Sequence, residues 1–527
     1  MSYLVIYLCI IGASQAFAQI PGGAVPANPN IVYYAGGRTT FYDAAGVKLL
    51  DVDAAEAVWS CSPAKAAWVV VTPKSGGYYE FPNYTNTSPR VSHAEMMRPF
   101  WTGDTIFKEA VVLKGPSSSS PLLYTPKQIL SVANYNGSVM YKEGLDYQLD
   151  GRNIRQISSA PSQTYVAKQG QRGNGTPNGL INVAATSWTY VTYIPDRSQW
   201  DGPSTTWKSK SNLLPRTTEL LRQGKPLVVQ ALGMSLTAGL NVSGFAGDSK
   251  NFPPTDPYMR SYIDLFCEEM RLVHGSNVTL FNSSCGGKTI SWAEKYCTAL
   301  VNPNNPDLVI IDMGMNDIWG LTTENGFRSS LESTIAKIRA GCPNAEFILI
   351  ANMLPDVTGA GAPADGETWM YRFLNAMNAQ ETSGCAVFDM TTMSDKLFDR
   401  KSSACYTSNS LHPNDYMARW YAQGLVQLIS PVTTSIDEEE KAEVGAPTVT
   451  ITPVPSTVDN GNIQIADNSG LPVHVFIADA LGRNVYEHAS HQRDLFVQIA
   501  DLHLIEGWYV VTASTTQGSR SRCLLIR

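Results

Sequence analysis

Charge is scarce in this 527-residue chain. Asp, Glu, Lys and Arg make up 16% of it, against roughly a quarter in ordinary soluble domains, which excludes a disordered or coiled-coil protein. A basic excess is missing as well: 39 Lys and Arg face 46 Asp and Glu, a formal net charge of −7. That leaves no electrostatic footprint for nucleic acid or for an anionic membrane surface. No stretch beyond the first residues approaches the ~20 apolar residues that a membrane helix needs. Neither Cys-x-x-Cys nor His-x-x-x-His spacing occurs, so no structural zinc or other metal is expected, and no cofactor.

What is present points outward from the cell. Aromatics reach 10% and hydrophobic residues 43%, with 41 Gly and 31 Pro, a composition of β-rich extracellular material that is soluble through hydroxyl and amide groups. Leu4 to Ile11 is an apolar core too short to span a bilayer. Ala16-Phe17-Ala18 before Gln19 has the small-x-small form that signal peptidase reads. Residues 1–18 are therefore expected to be a signal peptide, and the protein to be secreted or held at the cell surface. Cys9 would leave with that segment, and the mature chain keeps Cys61, Cys267, Cys285, Cys297, Cys342, Cys385, Cys405 and Cys523. An even number in an exported protein permits disulfides, whose pairing spacing does not reveal.

The chain divides by rhythm. From Ile31 to about Tyr193, short runs such as Ala67 to Val71, Phe107 to Leu113 and Thr189 to Ile194 are broken repeatedly by Gly, Asn, Pro and Ser, the pattern of an all-β sandwich. Gly170 to Gly179 reads as a long loop. After about Trp207 the spacing predicts strands at 226–232, 278–282, 307–313, 346–352 and 386–390. Helices are expected at 256–273, from 290, and at 328–340, 369–377 and 416–429. That alternation implies right-handed βαβ units, a parallel sheet covered on both faces, and ligands at the carboxyl ends of its strands. Asp437 to Glu443, five acids against one lysine, reads as a solvated linker. Past Pro447 a period of two returns at 463–465, 473–477 and 508–511. The expected order is thus a signal peptide (1–18), an N-terminal β-sandwich (19–206), an α/β domain (207–432), an acidic linker (433–446) and a small C-terminal β-sandwich (447–527).

Candidate chemistry falls just after predicted strands or at the end of the α/β domain. Ser235, in Leu232-Gly233-Met234-Ser235-Leu236-Thr237, follows the first strand, where a hydroxyl and a backbone N–H can both face a substrate. The α/β-hydrolase elbow wants Gly two positions after its serine; Thr237 stands there, which disfavours that fold. Gly286-Gly287 follows the second strand and lets backbone N–H groups approach a ligand. Asn316, in Gly314-Met315-Asn316-Asp317, ends the third, and its amide can donate to an oxyanion. His412, in Asn409-Ser410-Leu411-His412-Pro413-Asn414-Asp415, precedes the last helix. His274 is the domain's other histidine; Gly275 after it marks a helix C-cap, which leaves His412 as the base. Each site alone has an ordinary reading as a capping serine, a tight turn or an Asx-turn. Their order together is the specific signal.

In order and type the four sites resemble the SGNH, or GDSL-type, hydrolases, serine esterases with a flavodoxin-like three-layer α/β fold, from Pro226 to about Ile429. The resemblance implies Ser235 as nucleophile, the Ser235 N–H with Gly287 and Asn316 as oxyanion hole, and His412 as general base. Two positions depart from the family pattern. Met234 stands where the family carries Asp, which bears on turn geometry. Asn409 stands three residues before His412, where the family carries the triad acid. Asn can accept the imidazole N–H and fix its tautomer but cannot offset an imidazolium charge; Asp415 is the nearest acid in sequence that could reach the ring instead. Some carbohydrate-esterase-like members share the Asn-x-x-His-Pro-Asn-Asp ending.

The last segment resembles the C-terminal sorting domain of the type IX secretion system, through Pro453-Val454-Pro455, Gly482-Arg483-Asn484-Val485, Gly507-Trp508-Tyr509-Val510 and the ending Leu524 to Arg527. That resemblance implies the secretion machinery as a partner. The N-terminal region, with Val139 to Tyr147, resembles the accessory sandwich that precedes some carbohydrate-active members. Its aromatics, Trp59, Trp68, Tyr78, Tyr79, Phe100 and Trp101, either stack on sugars or fill its core. The function expected is a secreted carbohydrate O-acetylesterase acting on an acetylated polysaccharide or oligosaccharide through a Ser-His acyl-enzyme mechanism. A lipid or thioester hydrolase of the same fold, and a catalytically silent glycan-binding surface protein suggested by Met234 and Asn409, are the other readings.

Overall fold

The computed structural model describes residues 25–26, 31–52, 66–82, 93–159, 188–200, 202–245, 257–320, 322–357, 362–409, 411–429, 449–453, 462–467, 473–479, 484–490, 494–498, 507–515 and 518–526. The signal segment, the Gly170 to Gly179 loop and the acidic run lie outside these residues. The chain divides into two compact units, 1–432 and 433–527. Residues 19–206 and 207–432, expected as separate domains, both fall in the first.

At the centre of the first unit is a five-stranded parallel sheet: β1 (Leu227–Gly233), β2 (Val278–Asn282), β3 (Leu308–Asp312), β4 (Glu346–Ala351) and β5 (Cys385–Asp389). The strands lie in the order β2-β1-β3-β4-β5. Leu227 pairs with Val278, Val229 with Leu308, Leu308 with Glu346, and Phe347 with Cys385. Every residue of β3 and β4 is buried. Runs such as Leu308-Val309-Ile310-Ile311, with no polar alternation, suit strands covered on both faces. Strand order reverses at β1, so the loops leaving β1 and its neighbours diverge and open a crevice at their carboxyl ends.

Six helices cover this sheet: α1 (Tyr262–His274), α2 (Ile290–Leu300), α3 (Glu324–Gly341), α4 (Gly366–Asn378), α5 (Met390–Arg400) and α6 (Asp415–Ile429). Local chemistry sets their ends. The Ser261 hydroxyl accepts from the Asp264 N–H to start α1, and Gly275 at φ 63° ends it. Thr323 caps α3 through the Gly326 N–H. Among the described residues of the α/β region, two helices of two turns or more escaped the sequence pattern. Pro215–Arg222 is a short, largely polar segment. α5 begins directly where β5 stops, because Asp389 both closes the strand and caps the helix through the Thr392 N–H.

α6 is buried on almost every side: each residue from Asp415 to Leu425 is shielded from solvent. A helix buried on all sides needs a second layer, and the N-terminal strands supply it. Thr189–Asp196 pairs antiparallel with Ile106–Val111 on one edge and Thr125–Ala133 on the other. From α6, Arg419 donates to the carbonyls of Phe107 and Lys108, at 2.7 Å each. The Gln423 amide donates to Met96 and Arg98 carbonyls and accepts from the Phe100 N–H. Phe100 stacks edge-on against Tyr416, with ring centroids 4.8 Å apart, so this aromatic belongs to the core. Lys401, just past α5, donates to Glu109 at 2.6 Å and to the Ala110 carbonyl at 2.7 Å, and both charged side chains have zero exposure. Glu109 also accepts from the Leu123 N–H and the Tyr193 hydroxyl, each at 2.7 Å.

Further toward the N-terminus, Trp68–Pro82 pairs with Ile31–Tyr42 and with the short Val25–Pro26, and Ile31–Tyr42 pairs in turn with Lys48–Val52. The second unit is built from two antiparallel sheets. One joins Val449–Pro453, Asn462–Asp467 and Asp494–Gln498. The other joins Asn484–Ser490, Val473–Asp479, Gly507–Thr515 and Gly518–Ile526. Among the described residues no helix is long and apolar enough to cross a membrane. Cys285 is disulfide-bonded. Cys267, Cys297, Cys342, Cys385 and Cys405 are free and buried, packing as small hydrophobes; burial pushes the Cys385 thiol up to about 12, which leaves it inert.

Candidate active site

The loops near the reversal point bring Ser235, His412 and Asn409 together and set Asn316 beside Met234. Ser235 opens the single-turn helix Ser235–Ala238 directly after β1, so its N–H is among the unsatisfied donors of a helix start. Gly233 is required here by Thr237: a Cβ on it would lie 2.1 Å from the Thr237 hydroxyl oxygen. That hydroxyl donates to the buried Asp312 carboxylate at 2.5 Å, and the Tyr262 hydroxyl reaches the same oxygen at 2.6 Å. The turn that carries Ser235 is thereby tied to the end of β3.

His412 and Ser235 are 177 residues apart in sequence, yet the His412 Nε2 lies 2.8 Å from the Ser235 Oγ. On the other side of the ring, Nδ1 lies 2.8 Å from the Asn409 Oδ1. The same Asn409 atom accepts from the His412 backbone N–H at 2.9 Å and from that of Leu411 at 3.3 Å. Backbone N–H groups only donate, so the atom facing the ring is the amide oxygen. Nδ1 therefore carries the proton, and Nε2 is left as the acceptor for the serine hydroxyl. Burial holds the imidazole far below its ordinary range, down to about 3. Asp415, the other candidate for orienting the ring, is engaged elsewhere: it opens α6, and its Oδ1 accepts from the Ser243 N–H at 2.7 Å.

Gly287 and Asn316 lie in the loops after β2 and β3. Gly287 has φ 74°, a conformation that favours glycine, and a Cβ there would meet nothing within 4 Å. Backbone conformation, not crowding, selects this residue. Asn316 follows β3, and its amide nitrogen donates to the Lys288 carbonyl at 2.9 Å and contacts the Met234 sulfur at 3.4 Å. Met234, the departure from the family pattern, thus places a weak acceptor against the amide. The loop after β2 is tied back to β1 by the Cys285 N–H on the Gly233 carbonyl, at 3.0 Å.

Sequence reasoning missed the supporting residues Asp312, Tyr262 and the Met234 sulfur. Thr237 was legible only as a position where a glycine is absent. Nothing local announces that its hydroxyl meets a carboxylate 75 residues further on. Among the described residues, no group of three or more His, Cys, Asp or Glu side chains is arranged to hold a metal ion.

Residues 231–420 match the sequence profile of the GDSL-like Lipase/Acylhydrolase family. No curated protein gives a significant match to the chain. Among solved structures, a two-domain esterase (CEX) active on acetylated mannans is similar at 16% identity, covering 60% of this chain and 87% of that one, with a TM-score of 0.34. The acetyl xylan esterase AlAXEase matches at 19% identity over 38% of this chain and 98% of its own, TM-score 0.30. The psychrotrophic esterase EstA from Pseudoalteromonas sp. matches at 19% identity over 38% and 96%, TM-score 0.29. The family profile identifies the central region: it is a GDSL-like lipase/acylhydrolase domain, and the protein is a carboxylic ester hydrolase.

Proposed function

We propose that the domain is a serine esterase that removes acetyl groups from a glycan by acyl transfer. The observation that carries this reading is the chain Asn409–His412–Ser235, closed by two contacts of 2.8 Å. In the reaction, neutral His412 accepts the Ser235 proton at Nε2 as Oγ attacks the ester carbonyl. The tetrahedral oxyanion is met by the N–H groups of Ser235 and Gly287 and by the Asn316 amide. That amide gives up its contact with the Met234 sulfur, a weak acceptor, at little cost. His412 then returns the proton to the leaving alcohol, and water, deprotonated by the same ring, releases the acyl group. With the Asn409 amide on Nδ1, the imidazolium is balanced chiefly by the oxyanion, so the two charges rise and fall together.

A small acyl group fits best. Ser235 is 5% exposed and His412 4% exposed, which leaves little room for a long chain. A glycan as the alcohol is supported by the low charge of the chain and by the Asn409 to Asp415 ending. The small-x-small motif at residues 16–18 and the motifs from Pro453 to Arg527 support export through the type IX pathway. An intact C-terminal segment on the released protein, seen by mass spectrometry of culture supernatant, would count against that pathway.

The deciding experiment measures acetate release from a panel of acetylated polysaccharides by wild type and Ser235→Ala. The variant is expected to lose at least about 10⁴-fold in kcat, and unchanged hydrolysis would overturn the assignment. Rates along aryl esters from acetate to decanoate separate the glycan reading from a lipid one, since a rise with chain length requires an apolar groove.

A further inference from the structure

Gly287 must aim an N–H at the oxyanion, yet its own surroundings do little to hold it. A Cβ at this position would touch nothing within 4 Å, so its orientation depends on what grips the chain on either side. Downstream, the chain enters α2 at Ile290. The expected cap of that helix is absent: Thr289 makes no side-chain capping bond, and its hydroxyl pairs with the Ser291 hydroxyl at 2.9 Å. Asp317 supplies the acceptor from the turn after β3. Its two carboxylate oxygens lie 3.2 and 3.3 Å from the Ile290 N–H, a bifurcated bond. Asn316, the preceding residue, holds the Lys288 carbonyl at 2.9 Å. Two adjacent side chains from the turn after β3 therefore grip residues 288 and 290 of the loop after β2.

We propose that Asp317 is a positioning residue of the oxyanion hole, tying the head of α2 and the Gly287 segment to the turn that carries Asn316. Asp317 has zero exposure, and its backbone is pinned by its N–H on the Gly314 carbonyl at 2.9 Å. A carboxylate at a helix start is favoured by the unsatisfied N–H groups there. Burial raises the acid to about 7, while the N–H groups of Ile290, Gly314 and Asp317 itself pull it down. Asp317 touches no reacting atom; it acts through Gly287 and Asn316. Losing it frees α2 to drift from the turn, and a misplacement of about 1 Å in a catalytic arrangement can cost roughly 10²-fold.

The inference rests on the reading of Gly287 and Asn316 as oxyanion donors. The test compares full-length wild type, Asp317→Asn and Asp317→Ala on an aryl acetate, with active sites counted by phosphonate titration and folding followed by thermal melts. Asp317→Ala is expected to lower kcat per titrated site by roughly 10- to 100-fold, below the loss from deleting a donor outright, with KM within about threefold. Asp317→Asn, which keeps one acceptor for the Ile290 N–H, is expected to recover most of that loss. A kcat per titrated site within about twofold of wild type in Asp317→Ala would overturn the proposal, as would a loss that appears only as fewer titrated sites or a rise in KM alone. If Asn316→Ala also left kcat unchanged, the oxyanion reading would fall; if Asn316→Ala lost activity and Asp317→Ala did not, only this inference would fail.

Discussion

Glu109 and Lys401 bury a full ion pair against α6, whereas Ser235, His412 and Asn409 bury a chain of neutral groups at the head of the same helix. Both clusters are nearly dry: the charged pair has zero exposure, and Ser235, His412 and Asn409 are each 5% exposed or less. The charged cluster is saturated. Glu109 accepts from Lys401, Leu123 and Tyr193, and the Lys401 ammonium also lies 5.5 Å over the Tyr416 ring. A buried charge so completely paired has nowhere to go, which suits a clamp between the N-terminal strands and the α/β core. The neutral cluster keeps one transferable proton between Ser235 and His412. In the proposed mechanism, charge appears there only during the reaction, when the proposed oxyanion donors face it. On that proposal, burial serves permanence in one cluster and reactivity in the other.

The largest effect should come from breaking the clamp. Lys401→Ala leaves Glu109 buried without its cation and should cost about 3–5 kcal/mol of stability, read by chemical denaturation, while kcat per folded molecule stays near wild type. The double variant Glu109→Gln/Lys401→Met should recover most of that stability. Asn316→Ala attacks the neutral side. It should lower kcat by roughly 10²–10³ with little change in melting temperature, and a loss confined to KM would mean that Asn316 only binds substrate.

Asn409→Asp makes the neutral cluster resemble the charged one. A carboxylate on Nδ1 should raise the His412 pKa from about 3 toward its ordinary 6.5, moving the acid limb of kcat/KM upward by at least about one pH unit. Wild type should keep its activity well below pH 6, and an unmoved limb in the variant would mean that another group sets it. The smallest effect is on stability. The folded ring binds a proton less readily than the unfolded one, so the unfolded state gains protons as pH falls from 6.5 toward 3 and the His412 contribution is lost across that window. Asp317 runs the other way: raised from 3.8 to about 7, its contribution is present below 3.8 and lost as pH rises through 7. Melting temperature against pH for wild type and Asp317→Asn separates the two slopes.

Much of the α/β core was legible because its signals are local. β2 spans Val278–Asn282 as expected, and β3 and β4 fall within one residue of the predicted runs, since a short, mostly apolar stretch bounded by turn residues suits a buried strand. α5 was missed because no loop separates it from β5. The two candidates for orienting His412 show where local reading stops. Asn409 and Asp415 each lie three residues from the histidine, and the acid is the better partner on chemical grounds alone. The tight turn that brings the Asn409 oxygen onto both the ring and the His412 N–H selects the amide, while the start of α6 carries Asp415 away to Ser243.

Residue order by itself determined most of the strands and helices of the core and proposed four places for chemistry, Gly287 among them, because period, capping and backbone freedom act within a few residues. Only the tertiary structure decided that Ser235 meets His412, that the ring is neutral, that Asp317 caps a helix belonging to another strand's loop, and that Lys401 is spent on a clamp. Those outcomes depend on desolvation and on distances between residues tens to hundreds of positions apart, which no local pattern encodes.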